Sequence, residues 1–104
     1  MRVGAMRIEL RLPSAHSLKE KRRPLKSLLS RLRQTFSCAA AEVDHHDLHQ
    51  RAAVGVALVA ADGGNLADQM RAVREYVHRD PECEVLDVAE ETYPAPDVAF
   101  GLNR

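Results

Sequence analysis

The sequence predicts a single α+β domain in which the elements follow the order strand, helix, strand, strand, helix, strand. A chain of 104 residues has the size of one ordinary domain. Its composition, 45% hydrophobic and 29% charged, is typical of a globular protein. Two segments carry apolar residues at helical spacing, and four others are short extended runs. No apolar run approaches the roughly 20 residues that span a bilayer, so we expect a cytoplasmic protein with no membrane partner.

The first strand and the first helix have the clearest patterns. Apolar residues alternate with charged ones from Met6 to Leu12, a period of two that buries one face of a strand, and Pro13 ends it. The helix begins at Ser17, because Ser17 and Glu20 form a capping box. Pro24 removes one helical hydrogen bond, so we expect a kink or a restart there. The apolar stripe of this helix consists of Leu18, Leu25, Leu28, Leu29, Leu32 and Phe36.

The middle of the chain predicts a hairpin. Residues 37–43 and 51–61 are extended segments separated by the polar run 44–50. Val54, Val56 and Leu58 mark the buried side of the second segment. The opposite side is small and apolar, which is unusual for a sheet face in water, and we expect another surface to cover it. Its residues are Ala39, Ala41, Ala53, Gly55, Ala57 and Val59.

The last third of the chain predicts a second helix and a fourth strand. A turn at residues 62–65 precedes apolar residues at helical spacing, namely Leu66, Met70, Val73 and Val77. The fourth strand contains Val85, Leu86 and Val88 among acidic neighbours. We place the domain at residues 1–92 and an irregular tail at residues 93–104, which contains Pro94 and Pro96.

This element order is that of the ferredoxin-like fold, a four-stranded antiparallel sheet with both helices on one face. The expected strand order is fourth, first, third, second. Cys38 and Cys83 then start strands on opposite edges, so we expect no disulfide between them.

Several segments carry a resemblance to a known family. They are residues 7–13, residues 16–22 (His-Ser-Leu-Lys-Glu-Lys-Arg), residues 41–45 with Asp47-Leu48 and Gln50-Arg51-Ala52, and Leu86-Asp87-Val88. The chain closely resembles the YlxP-like bacterial family of unknown function from about residue 3 to residue 92. The resemblance implies a ferredoxin-like fold and carries no catalytic activity. Genes of that family often lie near those for translation initiation and ribosome maturation factors, which points to an RNA or ribosome partner. His46 and His49 depart from the family pattern, where glutamine and tryptophan are common.

The charge of the chain is strongly divided although its net value is zero. Residues 1–36 carry a net charge of +8 and residues 37–104 carry −8. A basic first helix predicts contacts with the phosphates of structured RNA or of a ribosomal particle. The alternative is a solvated helix whose cations pair with the acidic half. The candidate phosphate contacts are Lys19, Lys21, Arg22, Arg23 and Lys26, with Arg7 and Arg11 as secondary contributors.

The first and third strands carry no aromatic residue on which bases could stack. The hypothesis is therefore recognition of the phosphate backbone and of shape. No motif assembles a catalytic site, so we expect a non-enzymatic protein without a cofactor.

Two other functions stay open. One is a homodimeric structural or adaptor module that pairs through Ala53, Gly55, Ala57 and Val59. The other is an enzyme for small substrates on an acylphosphatase-like fold. It ranks last, because the loop at residues 13–16 contains no arginine to hold an anion.

The loop after the second strand is a weak candidate metal site. His45, His46 and His49 supply imidazoles beside Asp44 and Asp47, and both ligand types suit Zn²⁺ or Ni²⁺. No Cys-x-x-Cys pair or His-Glu-x-x-His helix supports it. We prefer the interpretation that His45 and Asp47 cap backbone groups of the loop.

Overall fold

The computed structural model describes residues 1–94 and confirms the predicted element order. The elements are β1 (Arg2–Arg11), α1 (Leu18–Phe36), β2 (Ala39–Asp44), β3 (Arg51–Ala60), α2 (Gly63–His78) and β4 (Glu84–Pro94). The four strands form one sheet in the order β2-β3-β1-β4, and each neighbouring pair is antiparallel. This is the predicted strand order of a ferredoxin-like α+β domain.

The hydrophobic core lies between one face of the sheet and the two helices. Successive side chains of a strand point to opposite faces, so the apolar residues of β1 point inward while its charged residues point outward. Ile8 lies opposite Val54 on one side and Val88 on the other. The largest fully buried side chains are Ile8, Leu10, Leu12, Leu28, Leu32, Val54, Leu66, Val73 and Val77.

The predicted capping box opens α1 with one difference in detail. The Ser17 hydroxyl accepts a hydrogen bond from the Glu20 backbone N–H at 3.1 Å. The Glu20 carboxylate accepts one from the backbone N–H of His16, one residue before the cap, at 2.9 Å. The helix then continues through the buried Pro24 without interruption, so the predicted restart at the proline is wrong.

Several strand boundaries differ from the predicted ones, and β1 begins at Arg2, four residues before the predicted start at Met6. Ser37 takes a left-handed φ of 49° as the C-cap of α1, so β2 begins only at Ala39. At the other end, β4 continues to Pro94, two residues beyond the predicted domain boundary. Residues 95–104 of the predicted tail lie outside the described residues. Cys38 and Cys83 are free thiols next to strands on opposite edges of the sheet, as predicted.

Candidate nucleic-acid interface

Three of the predicted phosphate contacts share one exposed side of α1. Lys19, Arg22 and Lys26 are three, four and seven residues apart, and this spacing places side chains on one side of a helix. All three are exposed. Within residues 1–94 none of them has an ion pair or a side-chain hydrogen bond. We call these three residues the α1 stripe.

Two arginines flank the stripe and are already engaged. Arg23 donates to the carboxylate of Glu82 in the α2–β4 connection. That bond raises the pKa of Arg23 above its ordinary value. Arg33, seven residues after Lys26, donates to the backbone carbonyl of Ala40 at 2.6 Å through one Nη. Sequence reasoning did not single out Arg33, although its spacing from Lys26 places it on the same side of α1.

Lys21 must be removed from the predicted set of phosphate contacts. Its side chain is buried, with 3% of the residue exposed. Three oxygens surround the ammonium group: the carbonyls of His45 at 2.9 Å and Leu48 at 2.8 Å, and the Glu42 carboxylate at 2.7 Å. Position 21 lies four residues before Leu25, so it has the phase of the apolar stripe and faces the sheet. The lysine is an internal anchor and is not available to a ligand.

The two secondary contributors to phosphate binding lie on the face of the sheet opposite α1. Arg7 and Arg11 project from β1 on the face away from α1, because the inward positions of β1 are apolar. Arg7 contacts Glu9 at 2.8 Å and Asp44 at 3.0 Å, and Arg11 lies 3.7 Å from Glu84. Neither arginine belongs to a surface that includes the α1 stripe.

The ion pairs of Arg7 change the titration of its carboxylate partners. Hydrogen bonds from Arg7 and from the backbone of His45 lower the pKa of Asp44. Burial opposes ionisation of Glu9, but hydrogen bonds from Arg7 and His45 outweigh it and hold the pKa of Glu9 below its ordinary value. Both carboxylates therefore keep their negative charge at neutral pH and hold Arg7 in place.

Five cationic side chains of residues 1–36 pair with acidic side chains. They are Arg7, Arg11, Lys21, Arg23 and Arg31. Each has a partner from the acidic half of the chain, for example Asp80, which lies 2.7 Å from Arg31. The alternative interpretation of the charge division, internal pairing, is therefore correct for these five. Within residues 1–94 the three side chains of the α1 stripe have no such pairing and are exposed to solvent.

The histidine-rich loop has a different structure from the one preferred above. The capping side chain is Asp44, which accepts from the backbone N–H of His45 at 2.7 Å. His45 has a left-handed φ of 63°, and its ring Nε2 lies 3.0 Å from the Glu9 carboxylate. The side chain of Asp47 makes no hydrogen bond within residues 1–94, so its predicted capping role is wrong. Among the described residues no three His, Cys, Asp or Glu side chains are grouped to hold a metal ion.

The predicted dimer face is only partly accessible. Ala53 is fully buried, and Gly55 lies beneath Val43, whose Cγ1 would be 2.8 Å from a Cβ placed on the glycine. Ala57 is exposed, and Val59 has 63% of its surface in solvent. A shallow apolar groove of about 320 Å³ runs beside Ala57 and Val43. The face therefore exposes Ala57 and Val59 to a partner. At the position of Gly55 the exposed side chain is that of Val43, which covers the glycine.

The fold and this surface define a ferredoxin-like α+β domain with an exposed basic stripe on its first helix. The chain belongs to the family described as protein of unknown function DUF503, whose family model matches residues 3–90. It is similar to the uncharacterized protein YlxP of Bacillus subtilis (strain 168), with 30% identity over 82 residues that cover 79% of this chain and 89% of that protein. These matches confirm the resemblance found in the sequence. Neither helix within residues 1–94 is both long and apolar enough to cross a membrane.

Proposed function

We propose that this protein is a non-enzymatic cytoplasmic protein that binds the phosphate backbone of structured RNA, free or within a ribosomal particle, through the α1 stripe. The observation that carries the proposal is the contrast in pairing. Among the described residues Lys19, Arg22 and Lys26 have exposed charges without an acidic partner, whereas five other cations of residues 1–36 are paired with carboxylates.

The geometry of the stripe fits a polyanion. Lys26 follows Lys19 by seven positions, so the stripe extends about 10 Å along the helix axis at 1.5 Å per residue. Each phosphate that a Lys or Arg neutralises releases counterions, and log K then falls with log salt at about 0.7 to 0.9 per contact. Three contacts predict weak binding with a slope of about −2 to −3. The central strands β1 and β3 carry no aromatic side chain, which favours backbone recognition over base stacking.

A matched pair of arginine variants tests the proposal. Arg22→Gln removes one charge from the α1 stripe, and Arg71→Gln removes one from an exposed position of α2. Fluorescence anisotropy with a labelled ribosomal RNA hairpin over a salt series gives affinity and slope. Arg22→Gln is expected to lower the affinity and to reduce the slope by about 0.7 to 0.9, whereas Arg71→Gln leaves both unchanged. Binding that does not depend on salt, or an equal loss in both variants, contradicts the proposal.

A second candidate function is a homodimeric module, and the exposed apolar residues of the open sheet face favour it. Val43 and Val59 are 48% and 63% exposed on either side of Ala57. A second copy would bury these side chains. Ala57→Glu is expected to halve the solution mass measured by light scattering. The control variant Ala67→Glu, at an exposed position of α2, is expected to leave the mass unchanged. A wild-type protein with the mass of a monomer contradicts this candidate.

A further inference from the structure

The buried lysine of α1 fixes the position of the loop at residues 45–50, which we call the histidine loop. The Lys21 ammonium group donates to the backbone carbonyls of His45 and Leu48 at 2.9 and 2.8 Å. These carbonyls lie next in sequence to His46 and His49. Lys21 is itself next in sequence to Arg22 of the α1 stripe. One lysine side chain therefore ties the histidine loop to the turn of α1 that carries the stripe.

Other contacts tie the same loop to the sheet and to the β1–α1 connection. The backbone N–H of Leu48 donates to the His45 carbonyl at 3.0 Å and closes a turn. The backbone N–H of Leu12 donates to the Gln50 carbonyl at 2.9 Å. The ring of His45 contacts Glu9 of β1. The loop is thus held on three sides, at the end of the sheet where α1 begins.

The charged groups around the histidine loop are almost all paired with one another. Glu9 contacts Arg7, His45 and Arg51, and Asp44 contacts Arg7 and His45. Glu42 contacts Lys21. The exceptions are His46, Asp47 and His49, which are exposed and have no side-chain partner within residues 1–94. Two exposed imidazoles that have no partner within residues 1–94 therefore lie on the loop that Lys21 ties to α1, with one carboxylate between them in sequence.

We infer that the histidine loop and the α1 stripe form one polyanion-binding surface, in which His46 and His49 contact phosphates when they are protonated. The inference rests on the proposed function and adds a second part to its surface. Imidazole side chains gain a positive charge between about pH 8 and pH 5, and an imidazolium has two N–H donors for phosphate oxygens. The number of phosphate contacts then rises by up to two as the pH falls.

The test measures RNA binding over a salt series at pH 7.5 and at pH 5.5. The probe is the same ribosomal RNA hairpin, and the proteins are the wild type and the double variant His46→Gln/His49→Gln. Because both side chains are exposed and have no partner within the described part of the chain, the variant is expected to fold normally. It keeps His16, His45 and His78, so any pH effect from those residues persists in it.

The expected result is a salt slope that steepens in the wild type by about 1.4 to 1.8 between pH 7.5 and pH 5.5, for two contacts at about 0.7 to 0.9 each. In the double variant the slope is expected to change with pH by less than in the wild type, because only His16, His45 and His78 remain. A wild-type slope that does not change with pH, or a change of equal size in the variant, overturns the inference and leaves the proposed function standing. Absence of salt-sensitive binding at both pH values overturns both.

Discussion

Lys21 shows most clearly how the surroundings of a residue decide its role. It lies in a run of cations and has the same charge as its neighbours, yet it is buried and surrounded by three oxygens. Burying an ammonium group is unfavourable unless it is paired and hydrogen-bonded, and here Glu42 and two carbonyls fulfil that condition. Lys21 is an internal residue because it lies on the same side of the helix as Leu25 and Leu28. Its charge alone does not distinguish it from the exposed cations of α1.

The variant Lys21→Met is expected to destabilise the protein by about 3 kcal/mol, because the Glu42 carboxylate and two carbonyls lose their common partner. Lys26→Met removes the same group from an exposed position of the same helix and is expected to change stability by less than about 0.5 kcal/mol. Urea unfolding followed by circular dichroism measures both. Equal effects would contradict the assigned role of Lys21.

Cys83 gives a pH dependence of stability with a definite sign. Burial, with a further contribution from Asp80, raises the pKa of the Cys83 thiol from its ordinary value to about 12. In the unfolded chain a thiol ionises near pH 8.5. Above that pH the unfolded state holds fewer protons than the folded state, so stability falls as the pH rises.

We therefore expect the free energy of unfolding of the wild type to decrease relative to that of Cys83→Ala between pH 8.5 and pH 10.5. Below pH 8 the difference between the two proteins stays constant. Urea titrations at a series of pH values measure this difference. A difference that is flat over the whole range would show that the thiol ionises equally in both states.

At the scale of elements, α1 has three differently used sides. One side carries the apolar stripe, a second carries Arg31 and its contacts to Tyr76 and Asp80 of the α2 end, and the third carries the α1 stripe. Ser17 is the N-cap of the helix, and its hydroxyl satisfies one of the first free backbone N–H groups. Lys19 and Arg22 lie in the first two turns after this cap. The cap therefore stabilises the part of the helix that carries these two residues of the stripe.

Ser17→Ala is expected to cost about 1 kcal/mol of stability, since the Glu20 N–H loses its partner at the cap. Ser30→Ala is the matched control, because Ser30 is exposed within α1 and has no side-chain hydrogen bond within residues 1–94. Thermal unfolding measures the two variants. The assigned cap is contradicted if Ser17→Ala leaves the midpoint where Ser30→Ala leaves it.

The spacing of apolar residues predicted the elements and their order because burial imposes a period of two on strands and about 3.6 on helices. Lys21 could have been recognised as inward-facing by the same rule, since it lies in phase with Leu25. The contact between Arg7 and Asp44 could not be predicted by that rule. The two residues are 37 positions apart and meet only because their strands belong to the same sheet. The position of Val43 over Gly55 depends on a β-bulge between Glu42 and Asp44, which the alternating pattern does not reveal.

At the scale of the whole molecule, the zero net charge conceals two kinds of cation. Those paired with the acidic half, such as Arg23 and Arg31, join α1 to the connection between α2 and β4. The α1 stripe has no such partner within the described residues and leaves a positive surface on one side of a neutral protein. Such a surface attracts a polyanion from a distance and loses that attraction as salt increases.

The most direct test of the central claim is co-sedimentation of the protein with ribosomal subunits over a salt series. The wild type is compared with Lys19→Gln/Arg22→Gln/Lys26→Gln, and with Arg71→Gln/Arg74→Gln/Arg79→Gln, which removes the same charge from α2 and its C-cap. We predict association of the wild type that weakens as salt rises, its loss in the α1 variant and its retention in the α2 variant. A wild type that never co-sediments, or α1 and α2 variants that lose association equally, would contradict the claim that the α1 stripe is the binding surface.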